Sequence, residues 1–207
     1  WRCLALVGLL GLLGACAVTT YPIDEPSLPE RVHATEGSPR AVILALHGFN
    51  DYSHAFDGFA QHAATLGYRV EDFDQQGFGG SANRGLWPGS AALAADLRDR
   101  IAALAEAWPD TPLFVLGESM GGAVAVVGLA QGAPEVDGLI LSGPRSDDPL
   151  LPVLAEEGFP LILHGRPDGH GLPCVDVDNQ AGAYQAVSHL IGLGHRRIGF
   201  ISNAPLS

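Results

Sequence analysis

The stretch "LGESMGGAVAV", Leu116 to Val126, sets a serine between glycines directly after the apolar run "PLFV". A serine held in a tight strand-to-helix turn needs neighbours without side chains, and Gly117 and Gly121 supply them around Ser119. The run before it predicts a buried strand, and the apolar residues after it predict a helix whose first amides face a developing negative charge. This spacing makes Ser119 a candidate nucleophile, which raises the question of where its acid and base lie.

Working outward, strand and helix signals alternate from Ala41 onward, the pattern of a parallel sheet flanked by helices. "AVILAL" reads as a strand ending at "HGFND", and "SHAFDGFAQHAATLG" as a helix with Phe56, Phe59 and Ala63 on one stripe. "YRVEDFD" is the next strand. "SAALAADLRDRIAALAEAW" is the clearest helix, with Leu93, Leu97, Ile101, Leu104 and Trp108 on one face and Ser90 as its expected N-cap. "DGLILS" is a further strand, and "DQQGFGGS", Asp74 to Ser81, is a glycine-rich loop.

Taken in order, "HGFND", "DQQGFGGS" and "GESMG" resemble the α/β-hydrolase family, in particular monoacylglycerol lipases and lysophospholipases, over residues 32–143. The resemblance implies an esterase-type serine hydrolase acting on a small ester or lipid substrate. It also implies an oxyanion hole from the backbone amides of Phe49 and Met120. His47 reads as a loop-shaping residue, because the base of that family comes last in chain order. His33, His54 and His62 carry no partner pattern and read as surface or helix-face residues.

After "LILSGP" the chain departs from that family. "VDVDNQAGAYQAVSHLIGLGHRRIGFI" resembles the effector-binding domain of lactose-repressor-family regulators, and the likeness extends back to about Arg145. Leu150 to Glu157 reads as a short helix, "FPLILHG" as a strand and "RRIGFIS" as another. Between the last two lies a helix with Tyr184, Val187 and Ile191 on one face, stopped by Gly194. "PLILHGRPD" also imitates the hydrolase strand that presents a triad acid, which makes Asp168 a weak candidate acid. His170 lies two residues on, and His164, His189 and His195 read as strand-end and helix residues.

The first sixteen residues, "WRCLALVGLLGLLGAC", carry one Arg before an apolar run too short to span a bilayer. Their end resembles a bacterial lipobox. That implies a lipid anchor on Cys16, export, and attachment to the membrane on the periplasmic side, or a cytoplasmic chain if the signal is not processed. The expected organisation is therefore a signal over 1–16, a tether over 17–31, the N-terminal part of a hydrolase over 32–144 and a sensor-type fragment over 145–207. The expected fold is α/β, a three-layer sandwich with a mostly parallel sheet, a truncated hydrolase core joined to βα units of a periplasmic-binding-protein-like domain.

Composition narrows the partners. The chain has 11 Lys plus Arg against 23 Asp plus Glu in 207 residues, a net charge of -12. That field repels phosphate backbones, so nucleic acid is excluded. The three cysteines, Cys3, Cys16 and Cys174, form no disulfide framework. No cluster has metal-ligand spacing, and neither metal nor cofactor is expected. Three functional readings follow: a serine esterase with an incomplete triad and weak or no activity, a sugar-type sensor fragment, or a joined chain with no function of its own.

Overall fold

A computed structural model describes residues 28–145, 147–166 and 171–201. Seven strands form one sheet: β1 (Glu30–His33), β2 (Ala41–Leu46), β3 (Tyr68–Phe73), β4 (Leu113–Glu118), β5 (Gly138–Ser142), β6 (Leu161–His164) and β7 (Cys174–Val175). Their order across the sheet is β1-β3-β2-β4-β5-β6-β7. Among the described strands only β1 is antiparallel, pairing Glu30 with Phe73 and His33 with Val70. Strand β1 thus overlaps the end of the stretch expected to be a tether.

The central strand explains the layering. Every residue of β2 is buried, as expected for an apolar, partly β-branched run covered on both faces. Val42, Leu44 and Leu46 face one way, into a core shared with Leu93, Leu97 and Ile101 of α2 (Ser90–Ala107), Val124 and Ala125 of α3 (Met120–Ala130), and Leu151 and Leu154 of α4 (Leu150–Glu156). Ile43 and Ala45 face the other way, onto Phe56, Ala60 and Ala63. Those residues come from a 3-10 turn (Ser53–Phe56) that runs into α1 (Asp57–Thr65). Helix, sheet and helix make three layers, the expected sandwich.

Two local expectations are corrected. Phe59 does not join the buried stripe of α1; it is exposed, and the small Ala60 takes the inward position. The N-cap of α2 is Gly89, at φ 92°, a backbone angle that favours glycine, and Ser90 is the first helical residue.

The strands after Ser142 extend the same sheet rather than building a second one. Leu139 pairs with Leu161 and Ser142 with His164, then Leu163 pairs with Cys174, all in parallel. Beyond them stands α5 (Asn179–Gly192), capped by the Asp178 carboxylate, which accepts from Ala181 N at 2.8 Å. It contributes no buried residue. The strand expected in "RRIGFIS" is absent among the described residues, since 197–201 form no strand and are exposed. A strand exists only through its partner's hydrogen bonds, and residues 197–201 pair with none of the described strands.

On the α1 side the described residues cover the sheet only in part. Between α1 and β6 runs an apolar groove of about 490 Å³, lined by Ile43, Phe59, Leu66, Phe114, Ile140 and Ile162. No helix among the described residues is long and apolar enough to cross a membrane.

Candidate active site

The carboxyl ends of β2, β4, β5 and β6 share one edge of the sheet, and Ser119 sits there between β4 and α3. Its backbone is at φ 49° and ψ -110°, a strained conformation for a residue with a side chain. Three observations show why only this sequence tolerates it. A Cβ on Gly121 would lie 2.2 Å from the Leu46 carbonyl oxygen, and one on Gly117 would lie 2.5 Å from Gly122 Cα. Ser119 N donates to Ser142 O at 3.0 Å, tying the turn to β5. Packing over-determines the corner, so the hydroxyl stands at the edge of the sheet and at the head of α3.

Across from it lies the loop after β2. Gly48 approaches so closely that an added Cβ would be 3.6 Å from Ser119 Cβ. The loop is fixed from behind. His47, fully buried, has Nδ1 2.8 Å from the Gly48 carbonyl and Nε2 3.0 Å from Gln75 N, and Gln75 Nε2 donates to His47 O at 2.8 Å. Burial pushes the His47 pKa below its usual value, outweighing the opposite pull of the Gly48 carbonyl and of Asp74, Asp51 and Glu118. Expected as a loop-shaping residue, His47 is placed as one.

In the sequence Asp74 only opens a glycine-rich loop, yet in the fold it clasps two segments. Its carboxylate accepts from Ser53 N at 2.8 Å and Gly80 N at 2.7 Å. Burial would raise its pKa, but those two amides hold it below the ordinary carboxylate value. Gly79, at φ 55°, leaves room for that carboxylate; a Cβ there would fall 2.2 Å from Asp74 Oδ2. An acid followed by closely spaced glycines was the available signal for this clasp.

Around the mouth, Phe49 packs edge-on against Phe78 with ring centroids 5.5 Å apart, and Phe78 against Trp87 at 6.5 Å. Phe49 is 61% exposed. On the other side of Ser119 opens a cleft of about 190 Å³, bordered by Gly122, Ser142, Gly143, Arg145 and Leu150.

Among the described residues, Ser119 Oγ has no side-chain hydrogen-bond partner. Ser142 Oγ lies 2.9 Å from His164 Nδ1 at the ends of β5 and β6, an exposed pair one strand removed. His189 lies within α5, and His195 follows it. Asp168, His170 and Cys16 lie outside the described residues. No group of His, Cys, Asp or Glu among the described residues is arranged to hold a metal.

His54 is exposed, as expected, whereas His33 is largely covered. Both join a cluster of polar side chains with Arg31, Asp57 and Asp72: Arg31 donates to Asp57 at 2.6 Å, His54 Nδ1 is 3.2 Å from Asp57, and His33 Nε2 is 3.6 Å from Asp72. Burial pushes the Asp72 pKa up to about 7, against the pull of Arg31. Spacing gave no hint of this cluster, because antiparallel pairing of β1 with β3 brings it together.

Comparison with known proteins agrees with this geometry. A family profile described as serine aminopeptidase S33 matches residues 37–160. The rat monoglyceride lipase is 30% identical over 109 residues, covering 52% of this chain and 36% of the lipase. A thermostable carboxyl esterase from Bacillus coagulans superposes with a TM-score of 0.52 at 29% identity, over 62% of this chain and 46% of the esterase. A second lineage also matches: the transcriptional regulator CelR of Thermobifida fusca is 44% identical over 70 residues, 32% of this chain and 21% of the regulator. The chain spans less than half the length of each of these relatives. With the profile match covering more than half of its residues, the chain belongs to the serine aminopeptidase S33 family of α/β-hydrolases.

Proposed function

We propose that the chain is a serine hydrolase that cleaves carboxylic esters of small or single-chain lipids. The observation that carries this reading is Ser119 at positive φ between two glycines that no side chain can replace, facing a Gly48 on which an added Cβ would lie 3.6 Å from Ser119 Cβ. Ser119 Oγ attacks the ester carbonyl carbon while its proton passes to a base. The carbonyl oxygen, now negative, rests between the amides of Phe49 and Met120. Collapse of that intermediate breaks the bond to the alcohol, which leaves with a proton, and water then releases the acid from Ser119. The exposed ring of Phe49, braced by Phe78 and Trp87, gives an apolar substituent a surface beside the reacting carbon.

The same reading holds that turnover is weak, because Ser119 has no imidazole partner among the described residues and Asp168 remains only a candidate acid. Losing triad members costs on the order of a millionfold in serine proteases. A fluorophosphonate probe tests the nucleophile. Labelling of the purified chain that disappears in Ser119→Ala supports the reading, whereas equal labelling of both overturns it.

Attachment to a membrane through Cys16 belongs to this proposal and rests on the lipobox-like "LLGAC". Palmitate incorporation that is lost in Cys16→Ala is the expected result. A second reading, a sugar-type sensor fragment, rests on the 44% identity to the regulator. Saturable heat on titration with sugars would favour it.

A further inference from the structure

We propose that His47 is a positioning residue for the oxyanion hole: its neutral ring fixes the Gly48–Phe49 peptide so that the Phe49 amide faces the oxygen of the carbonyl attacked by Ser119. This rests on the hydrolase reading above and adds the part that aims the donor.

The protonation of the ring follows from its two partners. The Gly48 carbonyl only accepts, so the 2.8 Å contact requires a hydrogen on Nδ1. The partner of Nε2 is the Gln75 N–H, a donor, so Nε2 carries a lone pair. Both nitrogens are used, and the tautomer is set by two backbone groups rather than by solvent, from which the ring is sealed. Phe78 closes one side, edge-on at 5.6 Å. Gln75 Nε2 holds the His47 carbonyl as well, so ring and backbone are clamped from the same loop.

The consequence lies one peptide further on. In a planar trans peptide the C=O and N–H point in opposite directions. Drawing the Gly48 carbonyl back onto the His47 ring therefore turns the Phe49 N–H the other way, out of the loop, where Gly48 faces Ser119 without a side chain between them. Phe49 N donates to no acceptor among the described residues, which leaves it free for an incoming oxygen. Protonating His47 would set an Nε2–H against the Gln75 N–H and release the loop. The acidic groups facing the ring are Asp51 from its own loop, Asp74 from the end of β3 and Glu118 from the elbow, and burial outweighs all three in keeping it neutral.

Two substitutions separate aiming from bracing. The amide of His47→Asn reaches the place of Nδ1 and donates to the Gly48 carbonyl; that of His47→Gln reaches the place of Nε2 and does not. The rate of fluorophosphonate labelling at Ser119 is measured on the full chain beside Tm. His47→Asn is expected to stay within about fivefold of the parent and His47→Gln to fall about 100-fold, the scale of losing an oxyanion donor, with similar shifts in Tm. Rates that fall together, in proportion to lost stability, overturn the proposal. If the parent chain labels no faster than Ser119→Ala, the hydrolase reading has failed, and nitrogen-15 NMR of His47 decides the geometry separately. An Nδ1–H tautomer in the neutral ring at about pH 8 upholds it, and an Nε2–H tautomer overturns it.

Discussion

Helices α2 and α5 announce themselves in the same way, by apolar residues three and four apart, yet they end in opposite surroundings. Leu93, Leu97, Ile101 and Leu104 of α2 are all under 8% exposed, whereas Tyr184, Val187 and Ile191 of α5 are 74%, 40% and 49% exposed. Periodicity therefore specifies that a helix has an apolar face; it does not supply the surface that covers the face. Helix α2 has α3 and β2 beneath it, built from the same family pattern. Helix α5 is 14 residues long, about 21 Å at 1.5 Å per residue. Its Asp178 cap and Gly194 at φ 88° give it clean ends, but an unpacked helix of that length is marginal in water.

The sharpest way to break this contrast is with glycines. Gly121→Ala puts a Cβ 2.2 Å from backbone at the elbow, while Gly182→Ala in α5 meets nothing within 4 Å. The first is expected to cost about 3 kcal/mol or more and to abolish labelling of Ser119, as overpacking against rigid backbone does. The second is expected to leave the melting of the core unchanged and to raise helix content slightly, in line with a preference of about 1 kcal/mol for Ala over Gly. Thermal melts and circular dichroism of both variants check the pair, and equal destabilisation would show that α5 is packed.

An effect of similar size, without loss of the elbow, comes from truncating apolar side chains. Leu97→Ala, at a fully buried site, is expected to cost about 2–5 kcal/mol. Ile191→Ala is expected to cost under about 0.5 kcal/mol, the range of ordinary surface changes. Denaturant titration of the two variants measures the difference, and a similar loss in both would erase the distinction between the regions.

The smallest predicted effect is a dependence on pH inside the better packed region. Asp72 stays neutral in the folded chain up to about pH 7, whereas in the unfolded chain it ionises around 3.8. Its contribution to stability is thus complete below the unfolded value and is lost as pH rises through the folded one. Asp72→Asn is expected to match the parent Tm near pH 4 and to exceed it by a few degrees near pH 8, since a 150–250-residue domain moves about 2–4 °C per kcal/mol. Parallel curves for the two proteins would mean that Arg31 keeps the carboxylate ionised throughout.

Much of the site was legible because its chemistry imposes local rules. A serine in a strained corner needs Gly117 and Gly121, and an acid clasped by loop amides needs glycines beside it; both demands are met within a few residues. The polar cluster of Arg31, His33, His54, Asp57 and Asp72 was illegible because β1 reaches β3 only by folding back, and no short-range pattern records that pairing. The missing strand in "RRIGFIS" teaches the same lesson from the other side. Its alternation is genuine, but hydrogen bonds between strands belong to two segments, and one of them alone cannot make them.

By itself the sequence determined the parallel α/β layering, the position of Ser119 in its turn and the presence of the helices. These are consequences of near-neighbour sterics and of apolar period, both written along the chain. Only the tertiary structure decided that β6 and β7 extend the first sheet, that His47 and Gln75 clamp the loop opposite the serine, and that none of the described residues covers α5. Each of these depends on groups distant in sequence meeting across space, where twist, depth and free hydrogen-bonding edges select the partner.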